Sequence, residues 1–231
     1  MTAIVSYLFA FAIVSQTDTA VDVQKTIGQC HAWGVRKSCD PTRALVYPVL
    51  FENRPTKKNV REVVGSPYGP RCNPVASSKG RCVQDFHLGM DVKMRKGIPV
   101  LSVRDDGTVE EITPINNCLL VRYRWMDGGT SVQQRVKYCH LRRVFHKVGD
   151  HIDRAGDVIG EVGDTGHVHG AHLHLEMEVP QGGMTDWQAS HCVGKPPADV
   201  LKTDYEEVRF ETFDPSCYGW KMAWRFVQRR P

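Results

Sequence analysis

The chain has 231 residues and a formal net charge of +4, which is too small to favour nucleic acid as a partner. Its hydrophobic fraction of 41% and charged fraction of 24% are ordinary for a globular protein and argue against global disorder. A chain of this length can hold one domain of moderate size with further segments at its ends.

The N-terminal segment, residues 1–20, contains an apolar stretch over residues 3–15. This stretch is too short to span a bilayer comfortably and is typical of the apolar region of a signal peptide. No Lys or Arg precedes it, which leaves an uncleaved N-terminal anchor or a buried helix as alternatives. We favour export, which predicts a secreted, periplasmic or envelope-associated protein.

Residues 21–62 form a lead-in of mixed character that includes an apolar patch over residues 44–51. From Val63 the sequence changes to short apolar or alternating runs separated by Gly and Asp turns. Many short strands joined by tight turns indicate an all-β barrel or sandwich with antiparallel sheets. Strands are predicted within residues 97–103, 108–112, 118–125, 132–139 and 158–162.

The chain has eight cysteines, and an even number behind an export signal suggests disulfide bonds. Residues 118–139 read as a β-hairpin with Gly128 and Gly129 as the loop, a register that places Cys118 directly opposite Cys139. Cross-strand pairs of this kind suit a disulfide. Proximity in sequence alone suggests three more pairs, Cys30–Cys39, Cys72–Cys82 and Cys192–Cys217.

The C-terminal extension, residues 181–231, ends in a stretch with helical spacing of its large side chains. Trp220, Ala223, Trp224 and Val227 would share one face, with basic residues on the other. We expect a C-terminal helix that packs its tryptophans on the domain. The alternative is a basic amphipathic helix that binds weakly to an anionic envelope surface.

Two histidines stand at alternate positions of a predicted strand. His172 and His174 alternate with Leu173, Leu175 and Met177, and residues two apart on a strand point to the same face. The leucines would enter the core, and the two imidazoles would lie side by side on the opposite face. This arrangement supplies half of a candidate metal site.

His87 and Asp91 supply the other half, because an even spacing of four places them on one face of an extended strand. Two histidines and one carboxylate with an open fourth position are typical of catalytic zinc. We therefore expect His87, Asp91 and His174 to bind one Zn²⁺. His140 and His172 would then be the catalytic pair, one accepting a proton and the other stabilising an oxyanion, in an order that the sequence leaves open.

The other histidines carry weaker signals. His167 and His169 lie in the glycine-punctuated loop before the predicted strand, where we expect them at the rim of a substrate groove. No functional role is predicted for His31, His146, His151 and His191.

An ordered set of short motifs runs through residues 63–180. The motifs are Ser66-Pro-Tyr-Gly-Pro-Arg71, His87-x-Gly-x-Asp91, Gly97-x-Pro-Val100, Asp106-Gly107, Tyr138-x-His140-Leu141, Val148-Gly-Asp150, Gly156-x-x-Ile-Gly160, Gly163-x-Thr-Gly166 and His172-Leu-His-x-Glu176. In this order they resemble the lysostaphin/LytM-type zinc endopeptidases. The resemblance implies a lysostaphin-like fold (a duplicated hybrid motif) with short helical or irregular flanks, and cleavage of peptides in bacterial peptidoglycan. It assigns zinc ligation to His87, Asp91 and His174, and catalysis to His140 and His172.

Two departures and two alternatives accompany this resemblance. The loop reads His167-Val-His-Gly where the family commonly has small hydroxylated residues, and neither flank has a recognisable counterpart. A non-catalytic wall-binding or regulatory module of the same fold is one alternative. A virion-associated wall-piercing endopeptidase is the other. The presence of all five site residues favours an enzyme.

Overall fold

The structure, a computed structural model, describes residues 27–32, 45–51, 62–127, 129–180, 182–192 and 210–224. Within these ranges the chain is built from strands, one short helix, α1 (Asp186–His191), and two 3₁₀ turns, Ile115–Asn117 and Pro215–Cys217. The strands are β1 (Ile27–Ala32), β2 (Leu45–Phe51), β3 (Val64–Ser66), β4 (Gly69–Cys72), β5 (Gln84–His87), β6 (Gly89–Lys93), β7 (Pro99–Leu101), β8 (Gly107–Thr113), β9 (Cys118–Asp127), β10 (Thr130–Cys139), β11 (Leu141–Val144), β12 (His151–Ile152), β13 (Val158–Val162), β14 (His172–Pro180), β15 (Phe210–Phe213) and β16 (Gly219–Trp224).

The larger sheet has the strand order β12-β8-β9-β10-β14-β6-β3, and β15 pairs with the far end of β14. Every pairing within it is antiparallel. The strands alternate as the sequence indicates, since Leu173, Leu175 and Met177 are fully buried while His172 and His174 stay partly accessible. The expectation of a mainly β, antiparallel fold is therefore confirmed.

A second sheet has the order β1-β16-β2-β7-β13-β11, and β4 and β5 form a separate two-stranded ribbon. One pair in the second sheet, β16 with β2, is parallel, which the sequence does not predict. Strand β2 comes from the apolar patch of the lead-in, and all seven of its residues are buried. That patch is therefore an interior strand of the second sheet.

One hydrophobic core joins the two sheets. It contains side chains of β2 such as Tyr47 and Val49 together with Leu119, Val136 and Leu175 of the larger sheet. Burial of these apolar side chains removes them from water and is the main favourable term in folding. The core thus ties the lead-in to the strands that carry the candidate site.

The predicted hairpin is confirmed in its register, because β9 and β10 pair Leu119 with Tyr138 and Asp127 with Thr130. The Cys118–Cys139 disulfide is present with a Cα–Cα distance of 4.0 Å. The pairs Cys72–Cys82 and Cys192–Cys217 are also bonded. The predicted pair Cys30–Cys39 lies outside the described residues, since Cys39 is not among them.

The predicted C-terminal helix is wrong over residues 219–224, which form strand β16 between β1 and β2. Trp220 is fully buried and makes an edge contact with Tyr47 at a centroid distance of 5.6 Å. In so short a segment the spacing of the tryptophans fits a period of two as well as a helical period, and pairing on both sides selects the strand. Residues 225–231 lie outside the described ranges, so binding of the basic end to an anionic surface stays a prediction.

The N-terminal segment 1–20 also lies outside the described residues. Among those described, no helix has the length and apolar character needed to cross a membrane. The predicted boundaries at 62/63 and 180/181 stay predictions, and strands from both flanks join the sheets of the segment between them.

We expect the paired substitutions Cys118→Ser and Cys139→Ser to destabilise the protein by about 3 kcal/mol, since the bond closes a hairpin 21 residues apart in sequence. Both cysteines are buried, so the hydroxyls would add a desolvation cost. Urea unfolding followed by circular dichroism measures the loss.

The matched control is Cys72→Ser with Cys82→Ser, which removes an exposed disulfide with a sequence separation of 10. Its loss of stability should be smaller. An equal loss in the two variants would show that the hairpin bond has no special weight in this fold.

Candidate metal and catalytic site

The pairing of β14 with β6 brings the candidate ligands together. In this antiparallel pair His174 lies opposite Asp91, and His172 lies opposite Lys93. On the other side of β14, Cys139 at the end of β10 lies opposite His174, so that the next residue, His140, enters the same region. His87 arrives from β5, which ends one residue before β6 begins. A break at Leu88 therefore separates the two residues that the sequence placed on one strand.

His87, Asp91 and His174 present three donor atoms that form a nearly equilateral triangle. His87 Nε2 lies 2.9 Å from His174 Nδ1 and 3.1 Å from Asp91 Oδ1, and His174 Nδ1 lies 3.0 Å from the same oxygen. Tetrahedral ligands at zinc–nitrogen distances of about 2.0–2.1 Å are separated by about 3.3 Å. The donor set fits one small metal ion if the three donor atoms move slightly apart.

Each of these three side chains is held on its outer side by a second group. His87 Nδ1 donates to the carbonyl oxygen of Pro67 at 2.8 Å. His174 Nε2 faces Glu176 Oε2 at 3.6 Å. Protons held on these outer nitrogens leave the inner lone pairs free to bind a metal.

The carboxylate of Asp91 is oriented in the same way. Its outer oxygen, Oδ2, accepts from Arg71 Nη1 at 3.2 Å, and Arg71 Nη1 also donates to Ser66 Oγ at 2.9 Å. The inner oxygen, Oδ1, faces the two imidazoles. Fixed partners of this kind lower the cost of ordering a ligand when metal binds.

The electrostatics of the pocket favour an ionised carboxylate at Asp91 beside a basic imidazole at His174. Burial acts to raise the pKa of Asp91, but hydrogen bonds and charge from His174 and His87 outweigh it and hold that pKa well below its usual range. Burial acts to lower the pKa of His174, yet the carboxylates of Asp91 and Glu176 raise it to about 9. These carboxylates thus hold positive charge on His174, and a metal cation that binds there would displace the proton of this ring.

His140 and His172 form a second pair beside the triangle, with ring centroids 4.6 Å apart. His140 Nδ1 donates to the carbonyl oxygen of Thr165 at 2.8 Å, and His172 Nδ1 donates to that of Gly170 at the same distance. Both rings therefore keep Nε2 free, and His172 Nε2 lies 3.7 Å from Asp91 Oδ1. Burial is the main cause that lowers the pKa of His140 to about 4. The hydrogen bond to the Thr165 carbonyl acts to raise this pKa, and the neighbouring His172 acts to lower it. The His140 ring is therefore neutral at pH 7.

The loop 163–171 that orients these rings is fastened at several points. Thr165 Oγ1 donates to the carbonyl oxygens of Asn116 and Leu141, at 3.0 and 3.2 Å. Asp164 pairs with Lys96 at 2.6 Å. His169 Nε2 donates to the carbonyl oxygen of Pro74 at 2.7 Å, which links the loop to the segment between β4 and β5.

A groove with a volume of about 1240 Å³ opens over the site, bounded by this loop, by β3 and by the segment that follows β4. His167 and His169 line it, as expected for rim residues. His146 and His151 lie apart from it, where they contact aspartates at the surface.

Three groups that contact the candidate ligands are not predicted from the sequence. Arg71 and Glu176 stand in the motifs quoted above, and the alternation along β14 already places Glu176 on the face of the histidines. The role of the Pro67 carbonyl group cannot be predicted from the sequence, because every residue has a backbone carbonyl group.

Two histidines and one carboxylate form a donor set that is typical of a catalytic zinc site. Residues 85–186 match the sequence model of Peptidase family M23. This match confirms the resemblance to the lysostaphin/LytM-type endopeptidases.

Individual relatives are similar over part of their length. An uncharacterized metalloprotease of Buchnera aphidicola is 29% identical over 138 residues, which are 55% of this chain and 31% of that protein. A zinc containing peptidase from Vibrio cholerae is 31% identical, with 58% of this chain and 36% of that chain covered and a TM-score of 0.42. The catalytic domain of the antimicrobial peptidase lysostaphin from Staphylococcus simulans is 26% identical. The match covers 57% of this chain and 89% of that chain, with a TM-score of 0.40. The match spans about a third of the length of the first two relatives.

We expect Gly89→Ala to weaken metal binding about tenfold or more, the effect typical of disturbed support around a ligand. A Cβ at Gly89 would collide with the carbonyl oxygen of Leu175 and lie 2.9 Å from His174 Cε1 and Nε2, so β6 must move away from β14. Competition with a chromogenic zinc chelator measures the affinity.

Gly170→Ala is the control, since a Cβ at that position meets no atom within 4 Å. Its metal affinity should equal that of the unsubstituted chain. Equal affinity in the Gly89→Ala protein would contradict the close packing described between β6 and His174.

Proposed function

We propose that the protein is a zinc-dependent endopeptidase that cleaves peptide cross-links or stem peptides of bacterial peptidoglycan. The observation that carries the proposal is the triangle of donor atoms from His87, Asp91 and His174, each held by an outer partner. The match of residues 85–186 to the sequence model of Peptidase family M23 supports metallopeptidase activity. The substrate class is supported by the resemblance of the ordered motifs.

In this proposal His87 Nε2, Asp91 Oδ1 and His174 Nδ1 would hold one Zn²⁺ per chain. Zinc supplies a Lewis acid that activates water and polarises the carbonyl group of a peptide bond. Glu176, Arg71 and the carbonyl of Pro67 keep the three ligands in place.

His140 and His172 are the catalytic residues of the proposal. A neutral His140 with a free Nε2 can accept a proton from the attacking water and return it to the leaving amine. His172, whose ring centroid lies 4.6 Å from that of His140, can donate a hydrogen bond from Nε2 to the developing oxyanion when it is protonated.

We further propose that residues 63–180 form the peptidase domain, with residues 181–231 as a C-terminal extension. The three disulfide bonds described above are typical of proteins outside the reducing cytoplasm. They support a secreted or envelope location, in agreement with the expected export segment at residues 1–20.

The proposal predicts that the purified chain holds one equivalent of zinc and releases soluble fragments from isolated peptidoglycan. His174→Ala should lose both the zinc and the activity. His140→Ala and His172→Ala should keep the zinc and lose at least about 100-fold in turnover, the usual share of general acid–base catalysis. Elemental analysis gives the metal content, and mass spectrometry of the fragments, with and without chelator, gives turnover and the bond that is cut.

His151→Ala is the matched control, because this histidine is about half exposed and contacts only surface aspartates. It should change neither zinc content nor release. A chain that holds no zinc, or a His174→Ala protein that releases fragments normally, would overturn the proposal. Loss of metal from the His140→Ala or His172→Ala protein would show that a ligand has been misassigned.

A further inference from the structure

Lys93 extends the face of β6 that carries the candidate site. It lies two residues after Asp91 and directly opposite His172 on β14. Residues two apart on a strand share a face and are separated by about 7 Å, so Lys93 stands one step beyond the metal ligand. The residues between them and before them, Val92 and Met90, point into the core.

The position of the Lys93 side chain is set by Gly65 on the edge strand β3. A Cβ at Gly65 would come within 2.8 Å of Lys93 Cε and 2.9 Å of its Cγ. The absence of a side chain at Gly65 thus makes room for the aliphatic part of the lysine. Lys93 is part of the lining of the groove, and the residue is exposed.

The charge of Lys93 is not neutralised within the part of the chain that the structure describes. No described carboxylate lies within 4.0 Å of its Nζ, in contrast to Lys96, which pairs with Asp164. Among the described residues that line the groove, Asp91 is the single carboxylate. Asp91 is already engaged by two histidines and Arg71.

We propose that Lys93 is a specificity residue that binds a carboxylate of the peptide substrate, within about two residues of the bond that is cut. The inference rests on the function proposed above and names a feature of its substrate. An extended peptide rises about 3.4 Å per residue, so a group about 7 Å from Asp91 along the strand reaches substrate positions next to the reacting carbonyl. The carboxylate belongs to a side chain or to the C-terminus of the peptide.

The expected size of the substrate preference follows from the exposure of the ion pair between Lys93 and the substrate carboxylate. Ion pairs at partly exposed positions contribute up to about 1 kcal/mol, which corresponds to about a fivefold preference. Salt screens such a contact, so the preference should shrink as ionic strength rises.

The test uses the zinc-loaded full chain and matched peptidoglycan peptides that carry either a free carboxylate or a carboxamide near the scissile bond. One pair of peptides differs at a side chain, and a second pair differs at the C-terminus. We expect about a fivefold higher kcat/KM for the free carboxylate in one of the pairs, mainly through KM. Lys93→Gln should abolish this ratio without loss of zinc, and Lys93→Arg should retain it.

Lys147→Gln serves as the matched control, because Lys147 is exposed and lies outside the groove. It should leave the ratio unchanged. No preference in the unsubstituted protein, or the same preference in the Lys93→Gln protein, would overturn the inference.

Calorimetric binding of the same peptides separates this inference from the proposed function. If no peptide is cleaved, the proposed endopeptidase function fails. Tighter binding of the free-carboxylate peptide to the unsubstituted chain than to Lys93→Gln would still support the subsite. Equal binding would reject it.

Discussion

The candidate site depends on the register between β14 and β6. This register places His174 opposite Asp91 while Leu173 and Leu175 enter the core. A slip of one residue would move the leucines to the groove and the histidines into the apolar interior. The free energy of core packing therefore fixes the geometry of the candidate metal ligands. The same packing holds together the two strands that carry them.

The part of the site that could be predicted from sequence is the part that follows from strand periodicity. Even spacing gave the shared face of His172 and His174, and the loop of the hairpin gave the register that joins Cys118 to Cys139. Two of the outer partners of the candidate ligands, Arg71 and the carbonyl group of Pro67, could not be found in this way. Arg71 reaches Asp91 across a separation of 20 residues, and His87 is held by a backbone carbonyl that has no sequence signal.

In the two flanks, local sequence patterns do not predict the secondary structure. Residues 219–224 fit a helical period, yet they form a strand because β1 and β2 offer hydrogen bonds on both sides and the core accepts Trp220. The apolar patch that became β2 could not be assigned for the same reason, since its partners lie far away in sequence. Tertiary pairing decided both segments, and it ties the flanks to the second sheet.

The loop 163–171 links the orientation of His140 and His172 to the shape of the groove. Its carbonyl groups at Thr165 and Gly170 set the orientation of His140 and His172, and its His169 closes one side of the groove against Pro74. A change in this loop would therefore alter both the space in the groove and the direction of the Nε2 atoms of His140 and His172. Because Thr165 is anchored to the carbonyls of Asn116 and Leu141, the part that orients His140 is fixed, while the part around His167 and His169 is exposed. This division lets substrate contacts vary along the exposed part while the contact that orients His140 is preserved.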